Sequence, residues 1–263
     1  MRQNHTLANL RTGKPAIGQW MHSSSVHIAR AIAAQKIFDW MLVDMEHSPT
    51  DLLTASMMLG AIADISGGMC TPLARVTQGS MYHIKQALDS GAQGIVVPMV
   101  STAEDATNIV RWSRYPPVGE RGAGGLLRAL TFGTTNSAEY LANANDEILV
   151  GIQIETREAV DNIEAILDVP GLDMVFIGPN DLHLSLGLTP SLWSDQPGFV
   201  EATNKVISAA QRRGMPLGTL VYDAEGAKAR LAQGFTFIGL DSEISQLLRM
   251  LNGIYNQIRP ALS

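Results

Sequence analysis

Two carboxylates, an imidazole and a guanidinium stand in this chain where chemistry could use them. Glu155 ends the apolar run 148–155, and Asp181 follows the run 174–178 across Pro179 and Asn180. Two carboxylates completed by water and substrate oxygens suit a hard divalent cation, Mg²⁺ or Mn²⁺, with Co²⁺ also possible. Apart from His183 no histidine lies near either residue in sequence, which disfavours a zinc site of His and Cys ligands. The plain structural reading is that Asp181 caps the helix after it and Glu155 pairs with an arginine. Gly178-Pro179-Asn180-Asp181 is also a tight turn into a helix, and outward N–H groups there could take a carboxylate or phosphate.

Asp44-Met45-Glu46-His47 gathers two acids and an imidazole. Histidine gives and takes protons near neutral pH, and a neighbouring Asp44 could orient His47 for acid/base work. Glu46 could instead face the outer waters of a metal or hold the loop. Arg75 ends the run Thr71-Pro72-Leu73-Ala74, and a guanidinium emerging there could clamp a carboxylate or stabilise an oxyanion. A salt bridge to a nearby acid is compatible with that role. Trp20 could wall a substrate site, with Gln153 beside Glu155. His22, His27, His83 and His183 lack comparable context and read as structural. Cys70, without a His/Asn setting, reads as a buried spectator rather than a nucleophile.

Positioning these groups is the task of eight short apolar runs, at residues 16–21, 38–44, 71–76, 94–99, 148–155, 174–178, 216–221 and 235–241. They are near-continuous rather than alternating, as parallel strands covered on both faces should be. Amphipathic segments lie between them. Helix starts are expected at Ser48-Pro49-Thr50-Asp51, Ser101-Thr102-Ala103-Glu104 and Asn136-Ser137-Ala138-Glu139, with Asp223 and Asp241 starting the last two. The 263 residues therefore predict one α/β domain, a single (β/α)8 TIM barrel with residues 1–15 as a short N-terminal extension. Its chemistry would sit at the C-terminal strand ends, where Asp44, Glu46, Glu155 and Asp181 would gather four negative charges. Residues 113–135 form one long irregular stretch, of the kind that usually serves an active site. The final helix, about 242–259, carries Ile244, Leu247, Leu248, Leu251, Tyr255 and Ile258 at helical spacing, either for core packing or for docking on another subunit.

Composition closes off several classes. Hydrophobic residues make up 46% and charged residues 17%, the opposite of a disordered chain. The net charge is −6 and no basic cluster exceeds Arg212-Arg213, so nucleic acid is not an expected partner; small molecules are. No apolar run is long enough to span a bilayer. A lone cysteine excludes an intrachain disulfide and points to a reducing compartment, the cytoplasm.

Asp44-Met45-Glu46-His47-Ser48-Pro49, Pro72-Leu73-Ala74-Arg75-Val76, Arg114-Tyr115-Pro116-Pro117 with Gly119-Glu120-Arg121-Gly122, Gln153-Ile154-Glu155-Thr156 and Phe176-Ile177-Gly178-Pro179-Asn180-Asp181-Leu182 resemble the HpcH/HpaI aldolase family. These are metal-dependent (class II) pyruvate aldolases of the 4-hydroxy-2-oxoheptanedioate aldolase type, and the motifs run in the same order from about residue 18 to 251. The resemblance implies Glu155 and Asp181 as metal ligands and Arg75 on the keto or enolate oxygen. It implies His47 with Asp44 as the acid/base pair, the backbone of residues 178–181 as a carboxylate cradle, and Asp89 near the site at a subunit boundary. It also implies a homo-oligomer, typically a hexamer, with a terminal helix exchanged between subunits. This chain departs in carrying Met45 where relatives often have Gly, Asn180 where a small residue is more usual, and only a loose match over residues 122–127.

The expected activity is a divalent-metal-dependent carbon–carbon lyase, reversibly cleaving a 4-hydroxy-2-oxo acid to pyruvate and an aldehyde through a metal-held pyruvate enolate. No strand end carries a Schiff-base lysine. Oxaloacetate decarboxylation, or another pyruvate-enolate reaction, is the alternative on the same site. A catalytically silent barrel is the alternative of a different class.

Overall fold

Near-continuous apolar runs become parallel strands here because both their faces are covered, one by the barrel interior and one by helices. The computed structural model describes residues 1–124 and 136–261, so residues 125–135 of the expected long loop lie outside the described residues. Helix α1 (His5–Arg11) precedes β1 (Ala16–Met21), α2 (Val26–Ala33), β2 (Trp40–Asp44), α3 (Leu52–Ile65), β3 (Thr71–Arg75) and α4 (Met81–Asp89). Then come β4 (Gly94–Val97), α5 (Ala103–Ser113), α6 (Ser137–Glu147), β5 (Leu149–Ile154), α7 (Arg157–Asp161) and α8 (Ile163–Leu167). The chain continues through β6 (Met174–Ile177), α9 (Pro179–Ser185), α10 (Pro197–Arg213) and β7 (Leu217–Val221). It finishes with α11 (Ala224–Ala232), β8 (Phe237–Ser242) and α12 (Glu243–Ile258). The strands pair in parallel and in sequence order, and β8 returns to β1, closing a (β/α)8 barrel.

The interior is filled by side chains. Trp20, Trp40, Leu42, Leu73, Phe176 and Phe237 pack there, with Trp40 stacked on Phe237 at 4.0 Å between ring centroids. Gly18 makes this possible, because a Cβ there would lie 2.0 Å from the Trp40 ring. Helix α1 closes the far end of the barrel. Leu7 and Leu10 join the inner cluster, and Asn4 Nδ2 donates to the carbonyls of Gln93 and Glu147. A second, larger cluster, including Cys70, fills the layer between strands and helices; burial pushes the Cys70 thiol up to about 12, so it stays protonated.

Three helix starts differ from expectation. Ser48 does not cap α3: its hydroxyl donates back to the Asp44 carbonyl and closes the turn after β2. The cap falls on Asp51, whose carboxylate accepts the Thr54 N–H. Thr102, not Ser101, caps α5 through a reciprocal capping box with Asp105, and Ser242 rather than Asp241 caps α12. Asp241 instead pairs with Arg249. Asn136 and Asp223 cap α6 and α11 as expected.

Beyond Ile244, which is partly buried, helix α12 leaves most of its apolar side chains uncovered within the single chain. Leu248, Leu251, Ile254, Tyr255 and Ile258 are all about half exposed, Leu251 at 50%.

Candidate active site

Every β strand of a closed parallel barrel delivers its C-terminal residue to one rim, so residues far apart in sequence meet there. A cavity of about 270 Å³ opens at that rim, lined by Trp20, His22, His47, Arg75, Gln153 and Asp181 among others. Gly178, Pro179 and Asn180 complete the side formed by the β6–α9 turn, and Phe176 and Leu220 add apolar wall. Of the sequence-predicted residues, Trp20, His47, Arg75, Gln153, Gly178, Pro179, Asn180 and Asp181 therefore line one space. Asp44 and Glu155 lie buried beneath it, bonded to its lining.

Asp44 is the hub on one side. Its carboxylate takes Arg75 in a two-point grip, with Nε to Oδ1 at 2.9 Å and Nη2 on Oδ2. Trp20 Nε1 donates to Oδ2 at 3.3 Å, and the backbone N–H groups of Glu46 and His47 donate to Oδ1. Burial opposes the charge of Asp44, but its contacts with His22 and Arg75 outweigh this and hold its pKa well below the usual carboxylate range. Arg75 also lies 3.2 Å from Glu46 Oε2 and 5.0 Å over the Trp20 ring. Burial works against the guanidinium too, and Asp44, Glu46 and Glu155 more than restore it.

The imidazole on Asp44 is not the expected one. His22 Nε2 lies 2.7 Å from Asp44 Oδ2, an ion-pair distance without hydrogen-bond alignment. The His47 ring points away to Glu46 Oε2 at 3.7 Å and is 58% exposed. So Asp44 does not orient the His47 ring as expected, and His22, read from sequence as structural, lies in the cavity lining against Asp44. The reason is tertiary: the Glu243 carboxylate at the start of α12 accepts the backbone N–H groups of His22 and Ser23, which turns the chain after β1 over the mouth. The signal available in sequence was only that His22 directly follows the strand bearing Trp20.

Glu155 is the hub on the other side. It is 2% exposed, with Oε1 accepting the Met99 N–H at 2.6 Å and Oε2 accepting Gln153 Nε2 at 2.6 Å. Among the described residues no arginine bonds to it directly; Arg75 acts on it only through space. Burial, with Asp181 and Glu46 nearby, pushes the Glu155 carboxyl up to about 7 against the pull of the Met99 N–H and Arg75. Glu46 is raised as well, chiefly by burial and further by Asp44 and Asp181, against Arg75 and His47. Among the described residues, four acids therefore share this rim with one guanidinium, that of Arg75. Among the described residues no group of three or more His, Cys, Asp or Glu side chains is arranged to hold a metal ion unaided. Glu155 and Asp181 nevertheless fit a hard divalent ion: they are carboxylates, too close in charge to be comfortable, beside a cavity that admits water or substrate oxygens. A cation there would offset the burial of the Glu155 charge, and with it the repulsion from Asp181 and Glu46.

Gly178 makes room for this carboxylate. A Cβ at position 178 would lie 2.3 Å from Glu155 Oε2 and 2.9 Å from its Cβ. Gly178→Ala is therefore expected to displace Glu155 and slow turnover by about 10²-fold, the usual cost of moving a reacting group by an ångström. Rates within twofold of wild type at an unchanged melting temperature would refute this.

Asp89 lies apart from the mouth of its own chain, at the end of α4, where it accepts from Arg121 Nη2 at 2.8 Å. His183 is buried and stacked on Phe199 at 3.8 Å. His83 bonds Ser80 at the start of α4.

The HpcH/HpaI aldolase/citrate lyase family model matches residues 16–249 of the chain. A 2-keto-3-deoxy-L-rhamnonate aldolase of Klebsiella pneumoniae subsp. pneumoniae is 41% identical over 236 residues, covering 88% of this chain and 84% of that protein. A 4-hydroxy-2-oxo-heptane-1,7-dioate aldolase of Escherichia coli is 38% identical over 247 residues, covering 94% and 92%. The crystal structure of an HpcH/HpaI aldolase/citrate lyase family protein from Burkholderia cenocepacia superposes with a TM-score of 0.90 at 32% identity, covering 98% of this chain and 100% of that one.

Proposed function

The chain belongs to the HpcH/HpaI aldolase/citrate lyase family and is a carbon–carbon lyase of the aldolase kind; on that premise we propose how its barrel mouth works. The substrate is a 4-hydroxy-2-oxo acid, cleaved reversibly to pyruvate and an aldehyde. The observation that carries the reading is that the buried guanidinium of Arg75, held by Asp44, and the carboxylate of Asp181 line one cavity, with the Glu155 carboxylate buried beneath it and held by Gln153. Glu155 and Asp181 would hold a divalent ion, Mg²⁺ or Mn²⁺. When bound, the ion supplies Lewis-acid polarisation of the 2-oxo group and offsets the acid cluster.

The residues of the chain divide the remaining work. Arg75, locked by Asp44 and lying over the Trp20 ring, is a preorganised donor to the oxygen that becomes an enolate. His47, exposed at the rim, takes the proton from the 4-hydroxyl. The C3–C4 bond then breaks, its electron pair passing into the enolate as the aldehyde leaves. Reprotonation at C3 gives the methyl group of pyruvate. Gln153 donates to Glu155 and keeps that carboxylate oriented, and the N–H groups of Asn180 and Asp181, in the first turn of α9, suit the substrate carboxylate.

Metal-stripped protein incubated with pyruvate in D₂O tests this. Adding Mg²⁺, Mn²⁺ or Co²⁺ should start methyl-proton exchange, and Glu155→Ala and Asp181→Ala should each abolish it. No metal-dependent exchange would sink the proposal.

The half-exposed apolar face of α12 supports assembly into a homo-oligomer through that helix. Leu251→Glu combined with Ile254→Glu should lower the mass measured by light scattering to that of the 28.3 kDa chain; an unchanged mass would remove α12 from the interface. Among the described residues no helix is long and apolar enough to cross a membrane. A cytoplasmic location belongs to the same proposal.

A further inference from the structure

A second cavity, of about 330 Å³, opens between α10 and α11. Phe199, Val200 and Ile207 give it apolar walls, and Arg230 of α11 enters it from the other side. The Arg230 guanidinium carbon lies over the ring of Trp193, 3.9 Å from its centroid. Its Nε is buried and has no hydrogen-bond partner. Several other arginines that are half-buried or buried meet an acid: Arg75 with Asp44, Arg114 with Asp173 and Arg213 with Glu164. Arg230 does not; burial alone acts on it, lowering its pKa, and no carboxylate offsets that cost. A half-buried guanidinium set against an indole, with an unpartnered Nε and apolar side chains beside it, is an arrangement that can take a carboxylate. Asp195, exposed on the rim, disfavours a second negative charge on the ligand.

We propose that this cavity binds a small organic monocarboxylate, with its carboxylate on Arg230 and its apolar body against Phe199, Val200 and Ile207. Two bonded routes tie its wall to the barrel mouth. Trp193 Nε1 donates to the carbonyl of Leu220, whose residue lines the mouth. Ser194 Oγ meets His183 Nε2 at 2.8 Å, and His183 Nδ1 meets the carbonyl of Pro179, also in the mouth lining, at 2.6 Å. Occupancy of the cavity thereby changes the affinity of the mouth for its substrate, a coupling that is reciprocal. That last step rests on the aldolase reading; binding itself does not.

Calorimetric titration of the full chain with benzoate tests the site without turnover. One saturable site is expected, weakened at least 10-fold in Arg230→Met. Because Arg230→Met could unsettle Trp193, Asn204→Trp, which fills the cavity from an exposed position and leaves the guanidinium intact, should weaken binding as much. Wild-type affinity in Asn204→Trp would overturn the proposal. Inorganic phosphate binding as tightly as benzoate would overturn recognition of an apolar body. Saturating benzoate should shift the KM for pyruvate at least twofold in the wild type and leave it unmoved in Asn204→Trp; an unshifted wild-type KM would overturn the coupling, and failed benzoate binding in an enzyme that still exchanges pyruvate protons would overturn the site alone.

Discussion

Arg75→Met is expected to lose about 10²–10³-fold in turnover, the usual loss when a preorganised oxyanion donor is removed. It should also lose about 3–5 kcal/mol of stability, because breaking a buried pair leaves one charge uncompensated. Asp44 is fully buried and its pKa is held down by Arg75 and His22. Without the guanidinium, the carboxylate must remain charged in an apolar setting or take up a proton. The two losses can be separated. Arg75→Met combined with Asp44→Leu removes both charges and should regain much of the stability while remaining inactive. Denaturant unfolding of the two variants decides it: a single variant within 1 kcal/mol of wild type would mean that Arg75 is not structurally coupled to Asp44.

Removing the metal should give the fold an unusual pH dependence, centred on Glu155. Its carboxyl is raised from 4.5 to about 7 in the folded chain. Below pH 4.5 it is protonated in both states and contributes nothing to the slope. Between pH 4.5 and 7 the folded state keeps the proton that the unfolded chain has lost. Stability is therefore fully present at the acid end and falls as pH rises, by about 3 kcal/mol over the window. Glu155→Gln, neutral at every pH, should flatten this component. Parallel stability curves for metal-free wild type and Glu155→Gln between pH 4.5 and 8 would rule it out. Added Mg²⁺ or Mn²⁺ should restore stability most at the alkaline end, where the carboxylate is ionised.

Much of the barrel was legible because strand burial is a local property of composition. Runs such as 16–21 and 71–76 contain too few polar residues to face water on either side, and each became a strand within a residue or two. Helix starts were less legible where two hydroxyls or acids compete. Ser48 and Asp51 both have capping side chains, and the turn after β2 assigned Ser48 to the Asp44 carbonyl, leaving Asp51 to α3. The grouping of Glu155, Asp181 and Arg75 at one rim follows from strand order. The hidden bonds of Glu155 do not: Met99 gives it an N–H from a left-handed φ of 58°, a conformation nothing in its side chain favours.

By itself the sequence determined that eight covered strands alternate with helices and that acids, an arginine and histidines follow particular strands. Those are consequences of order along the chain and of the two periodicities of its backbone. Only the tertiary structure decided which imidazole meets Asp44. His47 is three residues from it in sequence yet turns outward, whereas His22 is brought over it by Glu243, 221 residues away. Sequence distance governs which elements form; side-chain partners are chosen by the loops that close after them, through contacts between residues that no local pattern relates. The same holds for Arg230, whose lack of an acid partner is a property of its surroundings and invisible in the run Ala229-Arg230-Leu231.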